Sequence, residues 1–301
     1  MSGFVIVNPQ PVTDAVLTTS NVPETDAAAW AAGTTYALGA LVMYQHSVYE
    51  SAAAGNVGNN PATVTTAWTR VRATNRWRCF DGTNSSRTTQ ANSISYTFAP
   101  GLSVALVCAL NMVNCTSVRV WLDAPSYGVV YDKTLYPGPQ PIMPDPWEWA
   151  FGEWAGGQTL TLFDDLPSFP TAALHVDFVG GPDLAVGALI FGQPRTWGVA
   201  GVEAGAHIER KSYSRKEVND YGDLQLVKRP SAKRASFELV VARAEVDPLQ
   251  DFLDEIDATV CLFIGTTVFE STVIYGIHQD ASVVLSSRDL ATLSVEVLGV
   301  I

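Results

Sequence analysis

Residues 76–86 read Arg-Trp-Arg-Cys-Phe-Asp-Gly-Thr-Asn-Ser-Ser, and residues 186–192 read Val-Gly-Ala-Leu-Ile-Phe-Gly. Between them lie short segments of alternating apolar and polar residues, each bounded by Gly, Pro, Asn or Asp, which is typical of strands and turns. The segments occupy 95–98, 103–110, 117–122, 128–132, 158–163 and 172–178. This spacing, with little helical periodicity, predicts an antiparallel β-sandwich of jelly-roll type.

The rest of the chain adds a smaller module on each side of this sandwich. With 301 residues, 47% apolar and 16% charged, the chain has the composition of folded cores and the length of about two or three domains. We predict a mainly β, multi-domain fold: a small aromatic-rich β module, a central β-sandwich and a C-terminal β domain with one short helix. The expected segments are an extended N-terminal arm, the small module, the sandwich and the C-terminal domain, at 1–26, 27–72, 73–192 and 193–301.

The small module is defined by its aromatic residues. Strands at 40–44 and 47–51 are expected to pair across Gln45 and His46. The order Trp, Tyr-x-x-Gly, Val-x-Tyr, Val-Tyr and closing Trp over 27–72 resembles the small chitin-binding-type carbohydrate-binding modules. In that family exposed aromatic rings stack on sugars, and the resemblance implies four carbohydrate-binding candidates: Trp30, Tyr36, Tyr44 and Trp68. In so small a module the same rings also supply the core, so both roles stay open.

The central segment carries a second resemblance and an unusual loop. Its opening Trp77-x-x-Phe80-Asp-Gly and its closing Leu-Ile-Phe-Gly strand are similar to the galactose-binding-like jelly rolls, a fold that serves both binders and scaffolds. Within it, the Pro-rich segment 135–154 contains three tryptophans that either form a protein-contact loop or fill the sandwich edge. They are Trp147, Trp149 and Trp154.

Two carboxylates lie in the same loop. Glu148 and Glu153 raise a third hypothesis, a secreted glycan hydrolase, because glycosidases use paired acids. No hydrolase motif surrounds them, and the chain also lacks phosphate-binding and nucleophile-elbow motifs. We therefore predict a protein that is not an enzyme and that uses no cofactor.

Histidine and cysteine usage predicts neither a metal site nor a disulfide framework. The four histidines are isolated and the four cysteines form no CxxC pair, so we expect no zinc site and buried free thiols. The N-terminus lacks a basic, signal-length apolar segment, and the longest mostly apolar run, 102–113, is too short to cross a bilayer. Synthesis in the cytoplasm without membrane insertion is the expectation.

The net charge of −12 argues against non-specific binding to nucleic acid, which depends on Lys and Arg neutralising phosphates. The charge is uneven: between His207 and Arg234 eight Lys and Arg face four Asp and Glu, an excess of +4 that leaves −16 for the remainder. This basic band could pair with acidic surfaces of neighbouring copies or form a solvated hairpin face. The protein-contact candidates in it are Arg210, Lys211, Arg215, Lys216, Lys228 and Arg229.

The C-terminal third is again strand-rich. Strands at 213–218 and 223–227 flank a turn, and Leu249, Phe252, Leu253 and Ile256 form one apolar face of a short helix over 249–256, opened by Asp247 and Pro248. Phe269-Glu-Ser-Thr-Val-Ile-Tyr-Gly-Ile and the closing strand Ser294-Val-Glu-Val-Leu-Gly resemble the β-domains of phage tail-tip and baseplate proteins.

The order of elements along the whole chain resembles multi-domain minor tail proteins of tailed phages. The elements are Val22-Pro-Glu, the module from Trp30 to Trp68, Asn75-Arg-Trp with Phe80-Asp, and 269–299. The resemblance implies a virion structural role in the tail, with other tail or baseplate proteins and further copies of the chain in a ring as partners. The alternative is an adhesin-type protein whose main role is recognition of a host surface polysaccharide.

Overall fold

The computed structural model of the chain describes residues 3–137, 147, 159–198, 206–218, 222–267, 269–285 and 288–300. Their mainly β content, in several sheets with an α-helix near the C-terminus, confirms the predicted fold class. The chain divides into two compact units. The first contains Met1–Gln10, Val104–Val107 and Ile190–Ile301, and the second contains Pro11–Ser103 and Cys108–Leu189.

The elements are numbered in chain order. The strands are β1 (Phe4–Val7), β2 (Leu17–Ser20), β3 (Ala28–Ala29), β4 (Leu41–Tyr44), β5 (Ser47–Ser51), β6 (Trp68–Ala73), β7 (Thr88–Thr89), β8 (Ser93–Phe98), β9 (Leu106–Leu110), β10 (Val113–Ala124), β11 (Gly128–Leu135), β12 (Leu160–Phe163), β13 (Ala173–Val186), β14 (Ala188–Gly192), β15 (Pro194–Trp197), β16 (His207–Ser212), β17 (Arg215–Val218), β18 (Leu224–Val227), β19 (Ser231–Ala242), β20 (Cys261–Ile264), β21 (Val273–Val284) and β22 (Leu290–Gly299). The helical elements with described bounds are a 3₁₀ helix at Asn75–Phe80, the α-helix α1 at Arg243–Glu255 and a 3₁₀ turn at Glu270–Thr272.

The first unit is built on a seven-stranded antiparallel sheet of order β15-β1-β20-β21-β22-β19-β16. Residues of the five inner strands form a core with α1, in which Phe4 lies 4.9 Å from Phe237, centroid to centroid. The helix contributes the buried Leu249, Phe252 and Leu253. A separate two-stranded sheet, β17-β18, belongs to the same unit.

The helix is longer than the sequence predicted. It begins at Arg243, and Pro248 lies inside it, whereas the expected start was at Asp247 and Pro248. The buried stripe explains the extension, because Val246 packs against the same core one turn before Leu249.

The segment predicted as an extended arm over 1–26 is divided between the two units. Strand β1 is an inner strand of the first unit's sheet, and all four of its residues are buried. Its run of Phe-Val-Ile-Val has no polar face, which suits a strand covered on both sides. Strand β2 instead pairs with β8 in the second unit.

The largest sheet of the second unit has the order β11-β10-β13-β8-β2, with β7 paired to β13. From Val118 onward strand β10 alternates, so Val118, Val120 and Leu122 are buried while Arg119 and Trp121 lie on the outer face. A three-stranded sheet has the order β12-β9-β14, and the fold is β-sandwich-like in character. The galactose-binding-like resemblance stays a prediction.

The small module is a four-stranded sheet of order β3-β4-β5-β6. Strands β4 and β5 pair as predicted, with Tyr44 opposite Ser47. Gln45 and His46 form the two-residue turn with φ of 43° and 59°. Both values belong to a type I′ hairpin turn, whose twist matches that of the flanking strands.

Two carboxylates anchor this module within the second unit. Asp26, largely buried, pairs with Arg78 at 2.8 Å and accepts the backbone N–H of Asn75 at 2.8 Å. Glu24 accepts the Thr74 hydroxyl at 2.6 Å. Charge-assisted bonds of this kind are stronger than neutral ones, so residues 22–26 hold the segment after β6 in a defined position.

Candidate assembly surface and candidate carbohydrate-binding module

The basic band forms a continuous β-hairpin at the edge of the first unit. Strand β16 pairs with β19 and strand β17 pairs with β18. Ser214 joins the two ladders, because its hydroxyl accepts the Arg229 N–H at 3.0 Å and lies 3.2 Å from the Arg229 carbonyl. All residues of β16, β17 and β18 are exposed. The hairpin therefore extends past the seven-stranded sheet as a two-stranded arm.

The two faces of this arm differ in chemistry. Residues directly opposite in an antiparallel pair share a face, so the pairs Lys216–Leu226 and Val218–Leu224 form one face. We call Lys216, Val218, Leu224 and Leu226 the apolar face of the hairpin. Its three aliphatic side chains are 61–66% exposed.

The opposite face of the arm is more polar. It carries Arg215, Glu217, Gln225 and Val227, and Arg215 forms an ion pair with Glu217. Val227, 50% exposed, is the aliphatic residue of this face. The arm is thus amphipathic although solvent reaches both faces.

The six basic candidates all lie on this hairpin, in β16, β17 and the segment between β18 and β19. Arg210 is directly opposite Lys233, a cross-strand pair of like charges. Such pairs repel, and they suit an acidic surface that lies over them. Arg234, by contrast, bonds to Glu296 at 2.5 Å within the unit.

Sequence reasoning identified the charges of this band and missed its aliphatic residues. A signal was present in the sequence, because one polar residue separates the two members of the apolar face in each strand: Glu217 in β17 and Gln225 in β18. Of the three candidate tryptophans, Trp147 is 70% exposed, and Trp149 and Trp154 lie outside the described residues. Glu148 and Glu153 lie outside them as well.

In the small module, Trp68 is a core residue. Its side chain is 2% exposed, its indole N–H donates to the Asn59 carbonyl at 2.9 Å, and its ring meets Tyr36 edge-on at 5.2 Å. Val42 and Ala67 complete the buried cluster. Trp68 has no free ring face for a sugar, so the candidate platform is reduced to the other three aromatic residues.

Those three residues are half-buried, and each contacts other residues of the module. Trp30 meets Tyr44 edge-on at 5.4 Å, and the Tyr36 hydroxyl accepts the Ala31 N–H at 2.8 Å. The Tyr44 hydroxyl accepts the side-chain amide of Asn60 at 3.0 Å. Carbohydrate binding by Trp30, Tyr36 and Tyr44 stays a prediction.

The thiols are structural. Cys79, Cys108, Cys115 and Cys261 are buried thiols outside any disulfide, as predicted. Burial raises the pKa of the Cys79 thiol to about 12 and that of Cys115 to about 11. Because thiolate is the nucleophilic form, these two groups are inert near neutral pH.

Within the described residues, no group of three or more His, Cys, Asp or Glu side chains is arranged to hold a metal ion. The same part of the chain contains no helix long and apolar enough to span a membrane. Comparison of the sequence with protein-family models and with curated proteins finds no match.

Proposed function

We propose that this chain is a structural component of a bacteriophage tail tip or baseplate and that it assembles through its C-terminal residues. The observation that carries the proposal is the exposed amphipathic hairpin formed by β16 to β19. The phage context comes from the order of sequence elements, and the hairpin supplies a physical reason for assembly.

A two-stranded hairpin is at best marginally stable when it has nothing to pack against. Here the β17–β18 ladder exposes three aliphatic side chains on one face. Burying apolar surface yields about 25 cal/mol per Å², so contact with another protein would stabilise both the complex and the arm itself. Contiguous apolar surface on an extended arm is characteristic of a protein-interaction site.

Charge indicates which surface suits the arm. The window 207–234 carries +4 and the remainder of the chain −16. Opposite net charges favour contact between the arm of one copy and a different, acidic surface of the next. Such head-to-tail contacts generate rings when the rotation closes, which agrees with the expected symmetric copies in a tail.

A test in the phage that encodes the chain compares two matched substitutions on opposite faces of the arm. Val218→Thr combined with Leu226→Thr makes the apolar face more polar and places β-branched side chains, which suit strands, at both positions. Val227→Thr makes the equivalent change on the other face. Electron microscopy of lysates should show loss of complete tails with the first variant and normal particles with the second. Normal tails in both would contradict the proposal.

A second function, recognition of a host surface polysaccharide as an adhesin, has its support in the half-buried Trp30 and Tyr44. The two functions are compatible and separable. Tyr44→Ala would then reduce adsorption of intact particles, whereas failure of assembly in that variant would indicate a purely structural role.

A further inference from the structure

A surface cleft lies in the second unit, far along the chain from the candidate hairpin. Three parts of the chain converge on it: residues 12–14, the β4–β5 turn at 45–47, and the end of the 3₁₀ helix at 77–81. Arg70 and Ala73 of β6 complete the lining, and the volume is about 320 Å³. That size falls at the lower end of the range of about 300–1,000 Å³ that is typical of ligand sites.

The base of the cleft is aromatic. Trp77 is buried, and its ring stacks on the His46 imidazole with the centroids 4.2 Å apart. Phe80 meets Trp77 edge-on at 6.1 Å. The buried indole nitrogen of Trp77 has no hydrogen-bond partner among the described residues.

Polar groups of both kinds surround this base. Acceptors are the carboxylates of Asp14 and Asp81, and donors are the guanidinium of Arg70 and the amide of Gln45. Arg70 is held by a bond of 3.0 Å from its Nε to the Ser47 hydroxyl. A ligand in the cleft would therefore meet both donors and acceptors.

The turn that forms one wall is held rigidly. Gln45 and His46 both adopt the left-handed conformation, which non-glycine residues keep only where the surroundings enforce it. The His46 nitrogens lie 2.8 and 2.9 Å from carboxylate oxygens of Asp14 and Glu24. Glu24 is itself fixed by Thr74. Because the turn is already ordered, a ligand would pay little conformational entropy to order it, which favours binding.

We propose that this cleft binds a neutral, polyhydroxylated ligand, a sugar ring of a glycan. Sugar hydroxyls donate and accept hydrogen bonds, so they match a wall that carries Asp14, Asp81 and Arg70 together. An anionic ligand would face the two carboxylates, and a cationic one would face the guanidinium. Trp77 and Phe80, which line the cleft, offer apolar contacts to the C–H groups of a pyranose ring. The site is distinct from Trp30, Tyr36 and Tyr44, and it does not depend on assembly through the hairpin.

The test is isothermal titration calorimetry of the full chain with glucose, galactose, N-acetylglucosamine and their trisaccharides. Sialic acid and glucosamine serve as charged counterparts. At least one neutral sugar should bind with a Kd of about 1 mM or tighter. Arg70→Met and Asp81→Asn should each weaken that binding about tenfold or more, because each leaves a sugar hydroxyl without its partner.

A control variant locates the site. Arg119→Met removes an exposed arginine from β10 of the same unit and should leave the Kd unchanged. Binding of none of the neutral sugars would overturn the proposal. So would preference for a charged sugar, or wild-type affinity in both Arg70→Met and Asp81→Asn.

Discussion

Val218 and Leu224 are cross-strand partners in the β17–β18 ladder, and their side chains are 66% and 61% exposed. Cross-strand aliphatic pairs stabilise a sheet when the face that they form is covered. No residue that the structure describes covers this pair. If the chain assembles as proposed, another protein surface should cover this pair.

Self-association in solution should depend on this face of the hairpin. Sedimentation velocity of the wild-type chain between about 1 and 200 µM should show species larger than the monomer as concentration rises. Val218→Thr with Leu226→Thr should shift that transition to about tenfold higher concentration or abolish it, because burial of the aliphatic side chains drives it. Val227→Thr, on the opposite face, is the matched control and should behave as the wild type. Equal association of all three chains would show that the apolar face is not the contact.

Substitution of Arg210, which lies opposite Lys233, should stabilise the monomer and weaken its association. Arg210→Gln removes a cross-strand repulsion, so the free energy of unfolding of the monomer should rise by up to about 1 kcal/mol. The same change removes a positive charge from the contact surface and should weaken association, more clearly at low salt. Thermal unfolding at low concentration and sedimentation at high concentration separate the two effects. Lys211→Gln is the control, because Lys211 faces Ala232, and it should give no gain in monomer stability.

Trp68 should be essential to the fold of the small module. Trp68→Ala removes its largest buried side chain and should cost about 3–5 kcal/mol. Hydrogen–deuterium exchange should show loss of protection in residues 27–72, while β10 and β13 stay protected. Val71→Ala, at an exposed position of the same strand, should leave protection unchanged. Retained protection in Trp68→Ala would mean that Trp68 is not the centre of that core.

His175 should make the second unit less stable in mild acid. Burial is the main cause that lowers the pKa of its imidazole below 6.5, although Asp177 and Asp123 oppose the shift. The unfolded chain therefore binds the proton more tightly, and stability is lost as the pH falls through the unfolded-state pKa of about 6.5. The ring also stacks on Trp121 at 3.5 Å, which keeps it in this environment.

Urea denaturation at about pH 7.5 and about pH 5 measures this effect. His175→Gln should reduce the difference in the free energy of unfolding between the two pH values. His207→Gln, at an exposed position of β16, should leave the difference as it is in the wild type. An unchanged difference in His175→Gln would contradict the assignment.

Local features of the fold could be predicted from the sequence. The β4–β5 hairpin follows from alternation around a two-residue turn, and strands β8, β10, β11 and β13 follow from alternating runs bounded by turn residues. Strand β1 could not be placed, because its partners β15 and β20 lie about 190 and 255 residues further along the chain. Pairings at such separation leave no local signal beyond an unbroken apolar run.

The candidate sites, too, could be predicted only in part from the sequence. The charges of the hairpin could be counted from the sequence, but its two faces depend on the register that sets Lys216 opposite Leu226. Burial of Trp68 depends on the packing of Tyr36 and Val42 against it, which residue type alone does not specify. The cleft around Trp77 and Arg70 escaped prediction because its residues come from four separate parts of the chain.

The central claim is that the chain is a component of a phage tail, and mass spectrometry of purified virions with quantified copy number tests it most directly. The account predicts a low, fixed number of copies per particle that is a multiple of three or six, as closed symmetric assemblies require. Absence of the chain from purified virions would contradict the account and would leave free glycan recognition as the better explanation.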